Sequence, residues 1–228
     1  MPSYARKHQL SGSFIYHLIN RGNKKEVVFK ETKDYLYFMK LLKEYSERFD
    51  LKIYHWILMF NHYHLLLEID EPERISSCMA GLNRAYTCYY HKTYLTSGFL
   101  WQGRFKLQPV QKEGYLLACG RYIERNPIRA NIVFQAQQYL FSSARFYCLG
   151  ERDGVTTESP IFGDFGQDIN LRRIAYKEFL SNFNNNEEVM FRTLDVPLGN
   201  KKFISRITKG QGRLFPKRRG RPRERIVV

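Results

Sequence analysis

The strongest constraint on this chain is a switch of apolar period that recurs over its first 134 residues. SFIYHLIN (13–20) is dense in β-branched and aromatic residues, as a strand is, and a turn marked by Gly22-Asn23 follows it. From Thr32, read as a helix N-cap, Tyr35, Phe38, Met39, Leu42, Tyr45 and Phe49 recur at helical spacing. Residues 51–60 and 62–70 then read as two strands joined tightly through Asn61. A second helix opens near Pro72 and carries Ile75, Met79, Leu82, Tyr86 and Tyr89 at helical spacing. FKLQPVQ (105–111) predicts a short strand whose Pro109 suits a sheet edge, and residues 113–126 a third helix stopped by Pro127. The order β-α-β-β-α-β-α predicts an α+β fold: a ferredoxin-like split βαβ domain of two layers, with one added helix. Residues 1–150 form this domain, residues 151–200 a linker and accessory helical segment, and residues 201–228 a basic extension.

Charge is concentrated at the end. Of the net +15, residues 201–228 carry +10, with 11 Lys/Arg against the single acid Glu224. Phosphate neutralisation by Lys and Arg supplies much of nucleic-acid affinity, so the tail points to a polyanionic partner. KRRGRPRE (217–224) includes Arg219-Gly220-Arg221-Pro222, similar to the AT-hook core, whose arginines lie in the narrow minor groove of A·T-rich duplex. The four cysteines, at 78, 88, 119 and 148, show no C-x-x-C pairing, which argues against a zinc ribbon or a disulfide framework and fits a reducing cytosol. No apolar run approaches the ~20 residues that span a bilayer, and no apolar segment follows the basic N-terminus.

Two clusters carry residues suited to chemistry. In Asn61-His62-Tyr63-His64, at the head of a strand, the alternation of faces points His62 and His64 the same way, as a metal-ligand pair requires. An isolated H-x-H equally describes two hydrogen-bonded structural histidines. On the third helix Tyr115, Cys119, Tyr122 and Asn126 fall along one stripe. A tyrosine nucleophile working with a hard cation needs a carboxamide or carboxylate nearby. Tyr122 has Asn126 one turn on, whereas Tyr115 has only the soft Cys119. The alternative for such a stripe is a set of core tyrosines on an amphipathic helix. Arg21, Arg84, Arg104, Lys106, Arg121, Arg125 and Arg129, interleaved with Trp101 and Phe105, suit phosphate contacts combined with base stacking.

Five ordered blocks, NRGNKKEVVF (20–29), MFNHYHLLLEI (59–69), LWQGRFK (100–106), YIERNPIRANIV (122–133) and YLFSSARFY (139–147), resemble those of the REP-associated tyrosine transposases, within the HUH single-tyrosine superfamily. The resemblance spans about residues 10–150. It implies a divalent metal, Mg²⁺ or Mn²⁺, on His62, His64 and Asn126, with Tyr122 as nucleophile. It further implies a metal-dependent endonuclease and strand transferase acting on single-stranded DNA with hairpin-forming palindromic repeats, through a 5′-phosphotyrosine intermediate. DNA contacts are then expected from Arg21, Arg104, Lys106, Arg121, Arg125 and Arg129, and from Arg219 and Arg221 in the tail, which also suits A·T-rich duplex. A monomer or homodimer in the cytoplasm, associated with the chromosome and not with a membrane, completes the expectation. Two alternatives share the fold: a non-catalytic protein that grips DNA or RNA hairpins, and a relaxase-like replication initiator. Retention of His62, His64, Tyr122 and Asn126 argues against the first, and the lone suitable tyrosine against the second.

Overall fold

In the computed structural model, residues 15–182, 184–192 and 197–211 are described. Four strands, β1 (Ile15–Arg21), β2 (Lys52–Met59), β3 (His62–Glu68) and β4 (Lys106–Val110), form one antiparallel sheet in the order β2-β3-β1-β4. Helices α1 (Thr32–Phe49) and α2 (Arg74–Tyr94) connect them, as the split βαβ reading expects. Glu31, not Thr32, is the N-cap of α1: its backbone N–H donates to Asp34 in a capping box, and Thr32 is the first helical residue.

The pleat sorts the side chains. Tyr16, Leu18, Tyr63, Leu65, Leu67 and Leu107 point to one face, where they pack with Phe38, Leu42, Met79, Leu82 and Tyr86 of α1 and α2. Ile15, Leu66 and Val110 point to the other, under α3 (Lys112–Glu124), which brings Leu116, Cys119, Tyr122 and Ile123 against them. The added helix therefore gives the sheet a second helical cover. Pro127 does not stop the helical path. The chain bends at Arg125 and resumes as the short α4 (Asn126–Arg129), where proline occupies the first turn and needs no N–H partner.

The segment after residue 134 is packed into the domain. Residues 141–143 and 156–157 run along the free edge of β2, with Leu58 N–H donating to Phe141 O and Thr157 N–H to Ile53 O. Helices α5 (Ala144–Leu149) and α6 (Ile169–Ser181) build a third cluster of Tyr147, Phe162, Tyr176 and Leu180 behind α3. Helix α7 (Asn185–Arg192) buries Phe191 against α3. Leu198 then bridges Val110, covering the β4 edge where Pro109 sits, so both edges of the sheet are protected. Past this edge, α8 (Lys201–Gln211) inserts Phe203 and Ile207 into the cluster on the α1/α2 side. The first 11 of the residues expected to form a basic tail from 201 are thus an ordered helix, and Phe203 and Ile207 tie it to the core. The amphipathic spacing of Phe203, Ile204 and Ile207 among lysines and arginines is what seats them.

Truncating these contacts tests the packing. Phe203→Ala and Ile207→Ala are each expected to lower stability by about 2–4 kcal/mol, read as a lower urea midpoint at unchanged slope.

Candidate active site

The sheet face under α3 is apolar at one end and polar at the other. In the strand register His62 lies opposite Arg21, His64 opposite Ile19, Lys106 opposite Ile19 on the other side, and Gln108 opposite His17. Since alternate residues share a face, His17, Arg21, His62, His64, Lys106 and Gln108 occupy one side of three neighbouring strands.

His64 is buried, and its Nδ1 lies 2.8 Å from Nε2 of His17, a fully buried histidine on β1 whose ring stacks on it at 5.1 Å. His62, half-buried, places Nδ1 2.6 Å from Asn61 Oδ1 and meets His64 edge-on at 5.2 Å. Each member of the H-x-H pair therefore has Nδ1 engaged by a neighbour, which leaves Nε2 as its coordinating atom. Burial is the main reason that all three imidazoles resist protonation. It depresses His62 to about 4, partly offset by the acceptor oxygen of Asn126 and helped by the Arg21 and Arg129 charges. His17 is also held at about 4, first by burial, which the facing Gln108 amide partly offsets. His64 is held well below its ordinary value by burial, then by His17, His62 and Arg129. Their ring lone pairs are consequently available at neutral pH.

Helix α3 brings the second cluster to the first. The Tyr122 ring stands edge-on to His64 at 6.0 Å and to His17 at 6.1 Å. Asn126 donates from Nδ2 to the carbonyls of Ile123, at 3.0 Å, and Tyr122, at 3.4 Å. That anchoring leaves its carboxamide oxygen to face His62. The Arg129 guanidinium lies 4.1 Å from the Tyr122 ring centroid, and Phe191 packs on the same ring at 5.4 Å. Tyr115, two turns earlier, packs with buried Cys119 in the apolar cluster. Among the described residues no group of three or more His, Cys, Asp or Glu side chains is arranged to hold a metal ion. A cation here would rest on two imidazole nitrogens and one neutral amide oxygen, a donor set suited to a divalent ion that keeps waters and accepts a phosphate oxygen.

The cationic residues divide. Arg21, Lys106 and Arg129 share the histidine end, and Arg104 is exposed in the loop that follows Trp101, whose backbone pairs with Gly22. Arg21 donates from Nε and Nη2 to Gln102 Oε1 at 3.1 and 2.9 Å. Arg121 and Arg125 have a different role from the phosphate contacts expected of them. Arg125 donates to the carbonyls of Leu180 and Ser181, and Arg121 donates to Phe179 O while stacking on its ring, so both cap the C-terminal end of α6. Arg84 is exposed on α2, across the sheet. Phe105 is buried, and Trp101 donates from Nε1 to Thr87 and packs on Tyr63, so these rings serve the core. Arg219 and Arg221 lie outside the described residues.

Sequence reasoning missed His17 and Gln108. The alternation Ile15, His17, Ile19, Arg21 placed them on a definable face, but the pairing of β1 with both β3 and β4 is what aims His17 at His64.

The sequence profile of the family described as "Transposase IS200 like" matches residues 11–126, from the approach to β1 through Asn126. The chain belongs to the IS200-like transposase family. As a transposase by family it is a DNA-processing protein, and the matched stretch contains His62, His64, Tyr122 and Asn126. Its fold is similar to that in a solved structure of a REP-associated tyrosine transposase bound to a REP hairpin. The two share 19% sequence identity and a TM-score of 0.55, over 70% of this chain and 96% of that one. Among curated proteins no sequence matches this transposase. No helix among its described residues is long and apolar enough to cross a membrane.

The two classes of arginine separate experimentally. Arg125→Leu should lower the denaturant midpoint, by about 1–3 kcal/mol for the α6 carbonyls left uncapped, and leave the salt dependence of single-stranded DNA binding unchanged. Arg21→Ala should barely alter stability and reduce the slope of log affinity against log salt by about 0.7, the contribution of one phosphate contact.

Proposed function

We propose that this chain is a REP-associated tyrosine transposase: a metal-dependent single-strand endonuclease and strand transferase acting beside hairpin-forming palindromic repeats. The observation that carries this reading is the meeting of Tyr122 on α3 and Asn126 at the start of α4 with His62 and His64 on β3, from two segments 58 residues or more apart in sequence. The solved neighbour bound to a REP hairpin supports the substrate class.

His62 and His64, through Nε2, and Asn126, through its carboxamide oxygen, would hold a divalent ion such as Mg²⁺ or Mn²⁺. When bound, such an ion supplies Lewis-acid polarisation of the scissile phosphate and charge stabilisation at the leaving oxygen. Tyr122 supplies the nucleophile. Its phenolic oxygen gives up its proton and attacks phosphorus, the P–O bond to the tyrosine forms, the bond to the 3′-oxygen breaks, that oxygen takes up a proton and leaves as the 3′-hydroxyl, and the 5′-phosphate remains on the protein. The phosphodiester energy is retained in that linkage, so a free 3′-hydroxyl reverses the step and joins strands without a nucleotide cofactor. Arg129, stacked on the Tyr122 ring, fixes it and brings positive charge to where the phosphodiester must approach. Arg21, Arg104 and Lys106 extend that charge along the same end of the sheet.

Incubation with a hairpin-tailed oligonucleotide and Mn²⁺, followed by denaturing electrophoresis, is expected to show a covalent protein–DNA adduct. Tyr122→Phe should abolish the adduct and keep hairpin binding, since only the phenolic oxygen is lost, whereas Tyr115→Phe should retain it. EDTA, His62→Ala and His64→Ala should each abolish cleavage, and Asn126→Ala should cost less, because water can replace one neutral oxygen ligand. An adduct that persists in EDTA contradicts the metal-dependent reading, and one that persists in Tyr122→Phe contradicts the choice of nucleophile.

The basic extension is proposed to add sequence-tolerant attraction. Residues 212–228 carry net +6. Their deletion should spare α8, leave the nicking position unchanged and flatten the salt dependence of binding, by about 0.7 per lost single-strand phosphate contact or about 0.9 per duplex contact. If the Arg219-Gly220-Arg221-Pro222 segment reads the minor groove, Arg221→Ala weakens binding to A·T-rich flanks more than to G·C-rich ones, and equal losses leave a generic basic tail.

A further inference from the structure

β1 contributes a third imidazole with no part in the chemistry above. His17 is fully buried, and the 2.8 Å contact between its Nε2 and His64 Nδ1 is its closest tie to the site. Its Nε2 is directed at another ring nitrogen and so is not a third cation ligand. In a contact between two neutral imidazoles, one ring donates and the other accepts. The direction has a chemical consequence, because a histidine coordinates through an unprotonated nitrogen and the partner of its other nitrogen decides which one that is. With the proton on His64 Nδ1, donated to His17, the His64 Nε2 lone pair is open. With the proton on His17 Nε2, the His64 lone pair is consumed at Nδ1, and Nε2 carries a hydrogen and cannot coordinate.

Gln108 favours the first arrangement. Among the described residues His17 Nδ1 is buried without a short hydrogen bond. Gln108 stands directly opposite His17 in the β1–β4 register, and its amide oxygen is the acceptor placed to take a proton from Nδ1. A proton on His17 Nδ1 leaves Nε2 as a lone pair for His64. The stack of the two rings at 5.1 Å and 14° also fixes the plane of His64, and Tyr122 rests edge-on against both.

We propose that His17 is a positioning residue, which accepts a hydrogen bond from His64 Nδ1–H and so holds His64 in the tautomer whose Nε2 is free to bind a cation, with Gln108 setting the direction of the chain. The proposal deepens the reading of His62, His64 and Asn126 as a cation site and rests on it. Partners of this kind behind a ligating histidine typically change metal affinity by 10- to 100-fold.

Two measurements on the full chain test it. In the metal-free protein labelled with ¹⁵N-histidine, long-range ¹H–¹⁵N correlation should show His64 protonated on Nδ1 and His17 unprotonated on Nε2; His64 protonated on Nε2 overturns the proposal. Mn²⁺ binding followed by electron paramagnetic resonance should weaken by about 10- to 100-fold in His17→Leu. It should recover substantially in His17→Gln, whose amide oxygen can accept from His64 near the position of the lost nitrogen. A folded His17→Leu protein that binds Mn²⁺ as tightly as wild type overturns the proposal. If His17→Leu fails to fold, the tautomer measurement on the wild type decides. Wild-type protein that does not bind Mn²⁺, or that binds it no better than His62→Ala, overturns the cation site itself, a result separable from the His64 tautomer, which needs no metal to be read.

Discussion

The structure turns on a carboxylate that no solvent reaches. Glu124, near the end of α3, accepts from Ser143 Oγ at 2.6 Å and from the Tyr176 hydroxyl at 2.8 Å, and lies 2.9 Å from His55 Nδ1. Burying such a group is costly unless its oxygens are satisfied, and the satisfying partners come from β2, the approach to α5, and α6. The pairing also sets the rotation of α3. Glu124 is two residues from both Tyr122 and Asn126, which places it about 200° around the helix from them. With Glu124 fixed toward His55 and α6, Tyr122 and Asn126 have no orientation but toward the histidines of β1 and β3. Gly120 makes room for this arrangement, since a Cβ there would stand 2.8 Å from the His55 ring. Arg121 and Arg125, by capping α6, hold the same helix from its outer side.

That geometry has a cost at the other end of the sheet. His17 and His62, each depressed from 6.5 to about 4, resist protonation in the fold by roughly 3 kcal/mol apiece. The unfolded chain takes up those protons near pH 6.5 and the folded chain only near pH 4, so in the metal-free protein these groups withdraw stability as pH falls through that window. A core built for stability alone would place aliphatic residues here, as it does at Ile15, Leu66 and Val110 two or three positions along the same strands. The polar end is tolerated because the apolar end, with α3 laid over it, anchors the same sheet.

What was legible in the sequence follows from range. The period-2 and period-3.6 patterns are local, and they placed the strands, the first three helices and the shared face of His62 and His64 within a few residues. Strand order was accessible only through topology rules. The aim of His17 depends on which strands flank β1, a fact stored in the registers of β3 and β4 and not in residues 13–20. Arg121 and Arg125 looked like phosphate ligands because their neighbours were basic and polar. Their partners, the carbonyls at 179–181, lie more than 50 residues away and leave no mark on side-chain pattern. The seat of the segment before α6 was not legible for a similar reason: its Gly, Asp, Ser and Pro content signals turns, and turns that line a sheet edge have the same composition as turns in solvent.

The accessory helices also bear on the proposed chemistry. Tyr122 is bounded by the His17 and His64 edges, by Arg129 and by Phe191 of α7, so its ring is held from several directions before any substrate arrives. A phenol on an unrestrained side chain would lose rotamer freedom on reaching the in-line position, whereas one already packed loses little of it and the orientation is set by folding. The chain then passes the β4 edge at Leu198 and seats α8 on the far side, with the clusters that surround α1 and α2. Helix α8 therefore stands on the face of the sheet opposite Tyr122, so the two faces of one sheet carry the tyrosine and the last described helix separately.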